Sequence, residues 1–324
     1  MSRELEASQP EAAGRKALLV LKSRLKSAIK ASPYYEFLNG LRRRTRQFFF
    51  ERQGTITVKI GNFDILMPSA HPLPNFFASQ PYRDLCIGIA AKYLGRKYPH
   101  AAILDIGANV GDSAAHIATY CDNDLILVEP STFFGRYLEM NVRKLPNKCT
   151  VEPVLISPEE RPNGSHGRMV HWAGTAHFES AASCPELKTK TLSSFDRPIC
   201  MVKIDTDGND FAIINNSIDW FEKRQPGLLF EHEIRSRSDL DRADATFENL
   251  LRSGYRYFVV FDDPGFMILS TGNVGILKDL NRYQYRIWAS AGANKTICNF
   301  DVLALQDKDR DVFEDVLNYF NSQT

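Results

Sequence analysis

A glycine-rich turn in the segment ILDIGANVGDSAAHIA is the first feature that points to chemistry. It places Asp105, Gly107 and Gly111 in a D-x-G-x-x-x-G pattern, with Ala108 and Asn109 inside the turn. Glycines between a strand and a helix let backbone N–H groups come close to a bound nucleoside, which lies at the carboxyl ends of the strands. We therefore expect these five residues to contact a nucleoside-containing cofactor.

An acidic residue, Glu129, follows the next apolar run, DLILV, about 20 residues beyond the turn. At that position a carboxylate can accept hydrogen bonds from both hydroxyl groups of a ribose. A glycine turn followed by a strand that ends in an acid predicts a nucleoside site more specifically than the turn alone.

The residues around the turn indicate which of two cofactors, a dinucleotide or S-adenosylmethionine, such a site would bind. A dinucleotide fingerprint has a second glycine where the pyrophosphate lies, and Asn109 occupies that position. Asp112 stands at the start of the following helix, where the helix dipole would otherwise favour an anion. S-adenosylmethionine has no phosphate and carries a sulfonium and an ammonium group, so the sequence favours it. An NAD(P)-dependent oxidoreductase and a non-catalytic nucleotide-binding interaction module remain as alternatives.

The segment VKIDTDGNDF contains a candidate for catalysis. Asp205 falls at the end of a predicted strand, where the ligand crevice of a parallel sheet opens. A hydroxyl acceptor must lose a proton during methyl transfer, and Asp205 could act as the general base. Alternatively these aspartates only shape a turn, with Asp207 or Asp210 at the start of the next helix.

Histidines and glutamates extend the set of candidates. His177, in GTAHF, could also act as the base. In FEHEI, strand alternation puts Glu231 and Glu233 on one face and His232 on the other. Asp205 together with one of these glutamates could hold Mg²⁺, although their spacing is not diagnostic.

The elements that must position these residues alternate along the chain. The runs TITVKI and FDILMP flank Gly61-Asn62 and predict a β-hairpin, and residues 82–98 predict a helix. Beyond residue 100 strands alternate with helices, which is typical of a mostly parallel sheet with helices on both faces. The predicted strands are AAILDIG, DLILVEP, TVEPVLIS, ICMVKID, GLLFEHEI, YRYFVVFD and NFDVLALQ.

In the order and spacing of its motifs the chain resembles the FkbM family of methyltransferases over about residues 54–306. The resemblance implies an α/β, Rossmann-like class I methyltransferase fold, whose seven-stranded sheet has six parallel strands and one antiparallel strand. It implies methylation of a hydroxyl group on a sugar, glycan or related metabolite, with Asp205 near the methyl group and the glycine turn and Glu129 on the cofactor. The matching segments are ILDIGANVGD, LVEPSTFFGRYLEMN, GTAHF, MVKIDTDGND, LLFEHEI and GYRYFVVFDDPG.

Two parts of the chain follow from this organisation. Residues 1–53 are expected to form a basic, amphipathic helical extension, and residues 54–324 a methyltransferase domain. Within that domain, residues 54–100 provide a hairpin and helix that lead into the Rossmann-like core at 101–324.

Charge is unevenly distributed between these parts. From Arg15 to Arg46 there are ten lysines or arginines and one acid, so the segment carries +9 in a chain of net charge +1. The remaining, acidic body is unsuited to nucleic acid. The basic helix is expected to dock on the body or a partner subunit, or else to contact anionic lipid at the inner face of a membrane.

Cysteine spacing and hydropathy suggest a cytoplasmic protein, and the resemblance to the FkbM family implies a small-molecule or glycan acceptor. The six cysteines are scattered without metal or redox spacing, and no apolar run is long enough for a membrane span.

Overall fold

A computed structural model of the chain describes residues 45, 50–157, 165–172, 174–180, 186–290 and 299–322. The chain divides into two compact units, Met1–Arg52 and Gln53–Thr324. The basic helix predicted within residues 15–46 lies outside the described residues except for Thr45, so its membrane or partner contact stays a prediction. The fold below is that of the second unit.

Strands account for much of this unit. In chain order they are β1 (Thr55–Ile60), β2 (Phe63–Pro68), β3 (Ala102–Ile106), β4 (Leu125–Val128), β5 (Cys149–Glu152), β6 (Leu155–Ile156), β7 (Ser165–Trp172), β8 (Thr175–Ser180), β9 (Glu186–Leu187), β10 (Thr189–Lys190), β11 (Ile199–Ile204), β12 (Gly227–His232), β13 (Tyr255–Asp262), β14 (Met267–Thr271) and β15 (Phe300–Gln306).

The α-helices among the described residues lie mainly between these strands. They are α1 (Leu73–Ser79), α2 (Leu85–Lys97), α3 (Asp112–Tyr120), α4 (Thr132–Val142), α5 (Asp210–Asn216), α6 (Ile218–Arg224), α7 (Arg237–Arg252), α8 (Val274–Ala289) and α9 (Arg310–Asn321). Helix α7 shows why the sequence forms them. Ser236 caps its N-terminus by accepting the N–H of Asp239, and Leu240, Ala243, Phe247 and Leu250 recur at helical spacing and are buried.

The central sheet has eight strands in the order β14-β13-β15-β12-β11-β3-β4-β5. Strands β5, β4, β3, β11 and β12 are parallel, and β15 is antiparallel to both β12 and β13. Strand β13 therefore runs parallel to these five strands. This confirms the predicted Rossmann-like class I methyltransferase fold, and the predicted six parallel strands and one antiparallel strand account for seven of the eight strands. Strands β3, β4 and β11 are buried at every residue, which requires that both faces of the sheet be covered.

Several elements were not predicted from the sequence. Strand β14 adds an eighth, antiparallel strand beside β13 at one edge of the sheet. Strands β7, β8 and β9 form a separate three-stranded sheet between the predicted strands TVEPVLIS and ICMVKID. Helix α8 was also missed.

The predicted hairpin is present and supports the glycine turn. Strands β1 and β2 pair antiparallel around Gly61-Asn62, with Ile60 opposite Phe63. The buried side chain of Asn141 joins this hairpin to the turn: its Oδ1 accepts the N–H of Leu66, and its Nδ2 donates to the carbonyl of Val110. None of the helices in the described part of the chain combines the length and apolar character that crossing a membrane requires.

Candidate functional site

A cavity of about 330 Å³ opens at the carboxyl ends of β3, β4, β11 and β12. This is the edge at which open parallel sheets bind ligands. The loops after these strands form its floor and supply Gly107, Asn109, Glu129 and Asp205. Helix α1 and the β7–β8 hairpin form a roof of mostly apolar side chains, namely Leu73, Phe76, Met169, Ala176 and Phe178.

The glycine turn has a backbone that few other residues tolerate. The φ angle is +85° at Gly107, +47° at Asn109 and +90° at Gly111. A Cβ atom on Gly107 would lie 1.7 Å from the carbonyl oxygen of Asp205. Only glycine therefore allows the turn and the loop after β11 to touch.

Two of the predicted turn residues support the site without lining it. Ala108 is buried, and its N–H donates to the carbonyl of Val128 at 3.0 Å. Gly111 precedes the first residue of α3 as its N-cap. Both residues hold the turn against neighbouring elements, and neither lines the cavity.

Glu129 is buried at the end of β4, and backbone donors fix its carboxylate. Its Oε2 accepts the N–H of Asn109 at 2.9 Å, and its Oε1 accepts the N–H of Ser131 at 2.7 Å. Each carboxylate oxygen has two lone pairs, so one on each oxygen remains for a ligand. Burial raises the pKa of Glu129 to about 7, and the two N–H donors oppose that rise.

Asn109 also connects the floor of the cavity to its roof. Its Nδ2 donates to the carbonyl of Gly174, at the turn of the β7–β8 hairpin, at 2.7 Å. A Cβ atom on Gly174 would lie 2.3 Å from Pro72, so the hairpin meets the segment before α1 closely. His71 lines the cavity beside this contact, and burial lowers its pKa to about 4. The ring of His71 is therefore neutral near neutral pH.

Lys203 joins the two predicted aspartates at the base of the site. Its register partner on β3 is Asp105. Its Nζ lies 3.4 Å from Oδ1 of Asp105 and 3.3 Å from Oδ2 of Asp205, and it donates to the carbonyl of Gly107. Burial opposes the charged ammonium, but Asp105 and then Asp205 outweigh it and hold the pKa of Lys203 well above its usual value.

Further carboxylates line the same end of the cavity. Burial, followed by the charge of Asp205, raises the pKa of Asp207 to about 7 and that of Glu231 well above its usual value. Asp210 has a structural role instead, because its carboxylate accepts two backbone N–H groups of the loop at 2.9 and 3.2 Å. The loop-shaping alternative therefore describes Asp210, whereas Asp207 and Glu231 face the cavity.

Asp112 lines the cavity from the first turn of α3. Burial, followed by the charge of Asp84, raises its pKa to about 7. A carboxyl group at the N-terminus of a helix opposes the binding of a pyrophosphate there.

The β7–β8 hairpin places His177 outside the cavity. Ala176 and Phe178 face the cavity, so strand alternation directs the side chain of His177 to the opposite face. That side chain is 42% exposed, and its Nε2 lies 3.6 Å from a carboxylate oxygen of Glu179. The structure thus does not bring the predicted base His177 to Asp205.

His232 lies on the opposite face from Glu231, as strand alternation predicted. Its Nε2 is 2.7 Å from Oδ1 of Asn281, and its ring stacks on Phe247 with centroids 5.6 Å apart. Burial lowers the pKa of His232 to about 4. It is a core residue.

The acids at the cavity do not form a metal site. Across the described residues, no group of three or more histidine, cysteine, aspartate or glutamate side chains is arranged to hold a metal ion. The geometry therefore gives no support to the Mg²⁺ site that the sequence suggested, and we assign no step to a metal.

Comparison with known proteins adds little beyond this geometry. No family model matches the chain, and no curated protein matches its sequence. A putative O-methyltransferase from Klebsiella pneumoniae is 13% identical, with 68% of this chain and 79% of that chain covered and a TM-score of 0.37. Fibrillarin from Aeropyrum pernix, solved with natively bound S-adenosyl-L-methionine, is 12% identical, with 63% and 66% covered and a TM-score of 0.35.

The methyltransferase FkbM from Methylobacillus flagellatus KT is 11% identical, with 63% of this chain and 43% of that chain covered and a TM-score of 0.32. The match therefore spans less than half of that protein. At these values the likeness carries no conclusion about family or activity.

Sequence reasoning missed several residues of the site. Lys203 carried a signal, because a lysine inside the apolar run ICMVKI must find a partner when the strand is buried. No sequence signal indicated the side-chain contact of Asn109 with the roof, or the neutral ring of His71. Both depend on segments far apart in the chain.

Proposed function

We propose that the protein is a methyltransferase that uses S-adenosylmethionine. Glu129 carries the proposal, because it presents a fixed pair of acceptor oxygens at the carboxyl end of β4, beside the glycine turn. Two ribose hydroxyl groups fit such a pair. The carboxyl groups that line the cavity outnumber the two cationic side chains there, Arg83 and Lys203, which suits a cationic cofactor.

An NAD(P)-dependent oxidoreductase is the second candidate, and the position of Asp112 counts against it. A dinucleotide would place its pyrophosphate at the N-terminus of α3. There the ligand would meet a buried carboxyl group instead of a free helix dipole.

We further propose that the acceptor group is a hydroxyl of a sugar, glycan or related metabolite, as the FkbM-like motifs imply. The cofactor supplies an activated methyl group: the acceptor oxygen bonds to the methyl carbon as the carbon–sulfur bond breaks, and the hydroxyl proton passes to a base. Asp205 is suited to take that proton, since its side chain lines the cavity, is 46% exposed and is held by Lys203. The apolar roof of α1 and the hairpin limits access of water.

Calorimetric titration with S-adenosylhomocysteine and with NADH tests the cofactor. We expect the first to bind and the second not to bind, and the reverse result would establish the oxidoreductase alternative. The acceptor is then sought by comparing glycans and metabolites of a deletion strain with those of its parent, for a compound that has lost one methyl group.

With the acceptor known, Asp205→Asn separates the roles of that side chain. A fall in kcat with cofactor affinity retained is expected for a base. Full activity in this variant would leave Asp205 a structural residue, whereas loss of cofactor affinity alone would make it a binding residue.

A further inference from the structure

Three carboxylates at the ends of β11 and β12 form what we name the acid cluster: Asp205, Asp207 and Glu231. All three line the cavity. Leu229 pairs with Lys203 across β11 and β12, so Glu231, two residues further on, shares a face of the sheet with Asp205. Like charges side by side on neighbouring strands are unfavourable.

The fold compensates only part of the charge of the cluster. Lys203 pairs both with Asp205 of the cluster and with Asp105 outside it, whereas Arg235 pairs with Glu233 and Arg83 with Asp263. The other charged groups that surround it are acids, from the loop after β11, the segment before α2 and β15, namely Asp210, Asp84 and Asp301.

Glu231 provides a second, independent observation. Its Oε1 accepts a hydrogen bond from Asn299 at 2.7 Å. Its Oε2 is fully buried and has no hydrogen-bond partner among the described residues. Buried polar atoms are normally paired, so an orphaned carboxylate oxygen in a cavity wall indicates a place that a ligand completes.

We propose that the acid cluster recognises the positive charge of the sulfonium, so that the protein distinguishes S-adenosylmethionine from S-adenosylhomocysteine. This inference rests on the proposed methyltransferase function. The two compounds carry the same adenosine, amino and carboxyl groups and differ by one methyl group and one permanent positive charge. A site that contacts only the nucleoside would bind them alike, whereas a site with more carboxylates than cationic side chains favours the cation.

Two consequences follow from the chemistry. Methyl transfer converts the sulfonium into a neutral thioether, so the acid cluster holds the substrate and loses its attraction for the product. The cation also favours the ionised carboxylates of Asp207 and Glu231, whose pKa values are raised in the free protein. Binding of the cationic cofactor therefore releases protons from the cluster, and binding of the neutral product releases fewer.

Isothermal titration calorimetry with both compounds tests this inference without an acceptor. Titrations in two buffers of different ionisation enthalpy, between about pH 6 and about pH 8.5, count the protons released. We expect more protons to leave on binding S-adenosylmethionine. We also expect its Kd, relative to that of S-adenosylhomocysteine, to fall by up to about 10-fold per pH unit while one carboxyl group titrates. The amino groups of the two ligands ionise differently, because the sulfonium lies near the amino group of S-adenosylmethionine, so the cluster variants are titrated in the same way to isolate the contribution of the carboxylates.

Substitution assigns the effect to the cluster. Glu231→Gln retains an oxygen that accepts from Asn299, and we expect it to remove most of the difference between the ligands, with Asp207→Asn acting in the same direction. Glu222→Gln on the exposed face of α6 makes the same charge change away from the cavity and should leave the difference intact.

The outcomes separate the two proposals. Equal proton release for both ligands in the wild-type protein, or a difference that both cluster variants retain, overturns the sulfonium inference while the cofactor assignment stands. Binding of neither ligand contradicts the methyltransferase proposal itself, and the inference with it.

Discussion

Replacing Lys203 by methionine tests the electrostatic base of the site. Methionine retains much of the aliphatic stem and removes the ammonium. The fully buried Oδ1 of Asp105 would then lose its one ion-pair partner among the described residues. Removing one partner of a buried ion pair costs about 3–5 kcal/mol. For a domain of this size we expect the Tm to fall by about 10 °C.

Urea-induced unfolding of the ligand-free protein, followed by circular dichroism, measures this loss. Lys190→Met is the matched control, because Lys190 pairs with Glu152 at a shorter distance, 2.8 Å, but both side chains are partly exposed. Exposed pairs contribute about 0–1 kcal/mol. Distance alone would predict that Lys190→Met is the more harmful change, whereas burial predicts the reverse.

A double variant completes the test. In Lys203→Met with Asp105→Asn the buried charge disappears together with its partner, so about half of the lost stability should return. The reasoning is refuted if Lys203→Met loses less than about 1 kcal/mol or if the double variant recovers none of the loss.

Four further predictions concern single residues. Glu129→Ala should weaken binding of S-adenosylhomocysteine by about 1.5–3 kcal/mol in calorimetry, and unchanged affinity would contradict the ribose assignment. Gly107→Ala should lower the Tm, since its Cβ would overlap a carbonyl oxygen, whereas Gly135→Ala on α4, with open space around it, should not. His177→Ala should keep the wild-type kcat once an acceptor is known, and a large fall would restore this histidine as the base. Burial is the largest cause that raises the pKa of Asp301 to about 8, and the charge of Asp84 is the next. The folded protein therefore holds a proton on Asp301 at acid pH, and the stability that this proton provides is lost as the pH rises through about 8. Asp301→Asn should therefore unfold like the wild type near pH 4 and be more stable by about 1–3 kcal/mol near pH 9, in urea titrations at both values.

The fold and the part of the cavity around the glycine turn could be predicted because their signals are local. A glycine turn between a strand and a helix is readable within ten residues, and so is the acid that ends the following strand. Gly107 and Glu129 line the cavity, and their contact with a cofactor stays a prediction. The alternation of strands with helices predicted a mostly parallel sheet, and the resemblance to the FkbM family implied its class I methyltransferase topology.

The roof and the acid end could not be predicted in the same way. The sequence of β7, SHGRMVHW, mixes polar and apolar residues without a clean period of two, so it predicted neither the hairpin nor the face on which His177 lies. Lys203 and Asp105 meet through the register of β3 and β11, which are about 100 residues apart in the chain. Such contacts depend on tertiary pairing, and a pattern within one segment does not contain them.

Unfavourable backbone conformations and unfavourable charges both occur in the lining of the cavity. Among the described residues, four other than glycine have positive φ, and three of them, Asp84, Asn109 and Asp207, line the cavity. Such conformations carry a cost, smaller for asparagine and aspartate than for other residues, and they persist where the surrounding structure fixes them. Asp84 and Asp207 add carboxyl groups to a cavity already rich in acids. A cation bound there would relieve the repulsion without any change of backbone, so S-adenosylmethionine should stabilise the protein more than its neutral product does at equal occupancy.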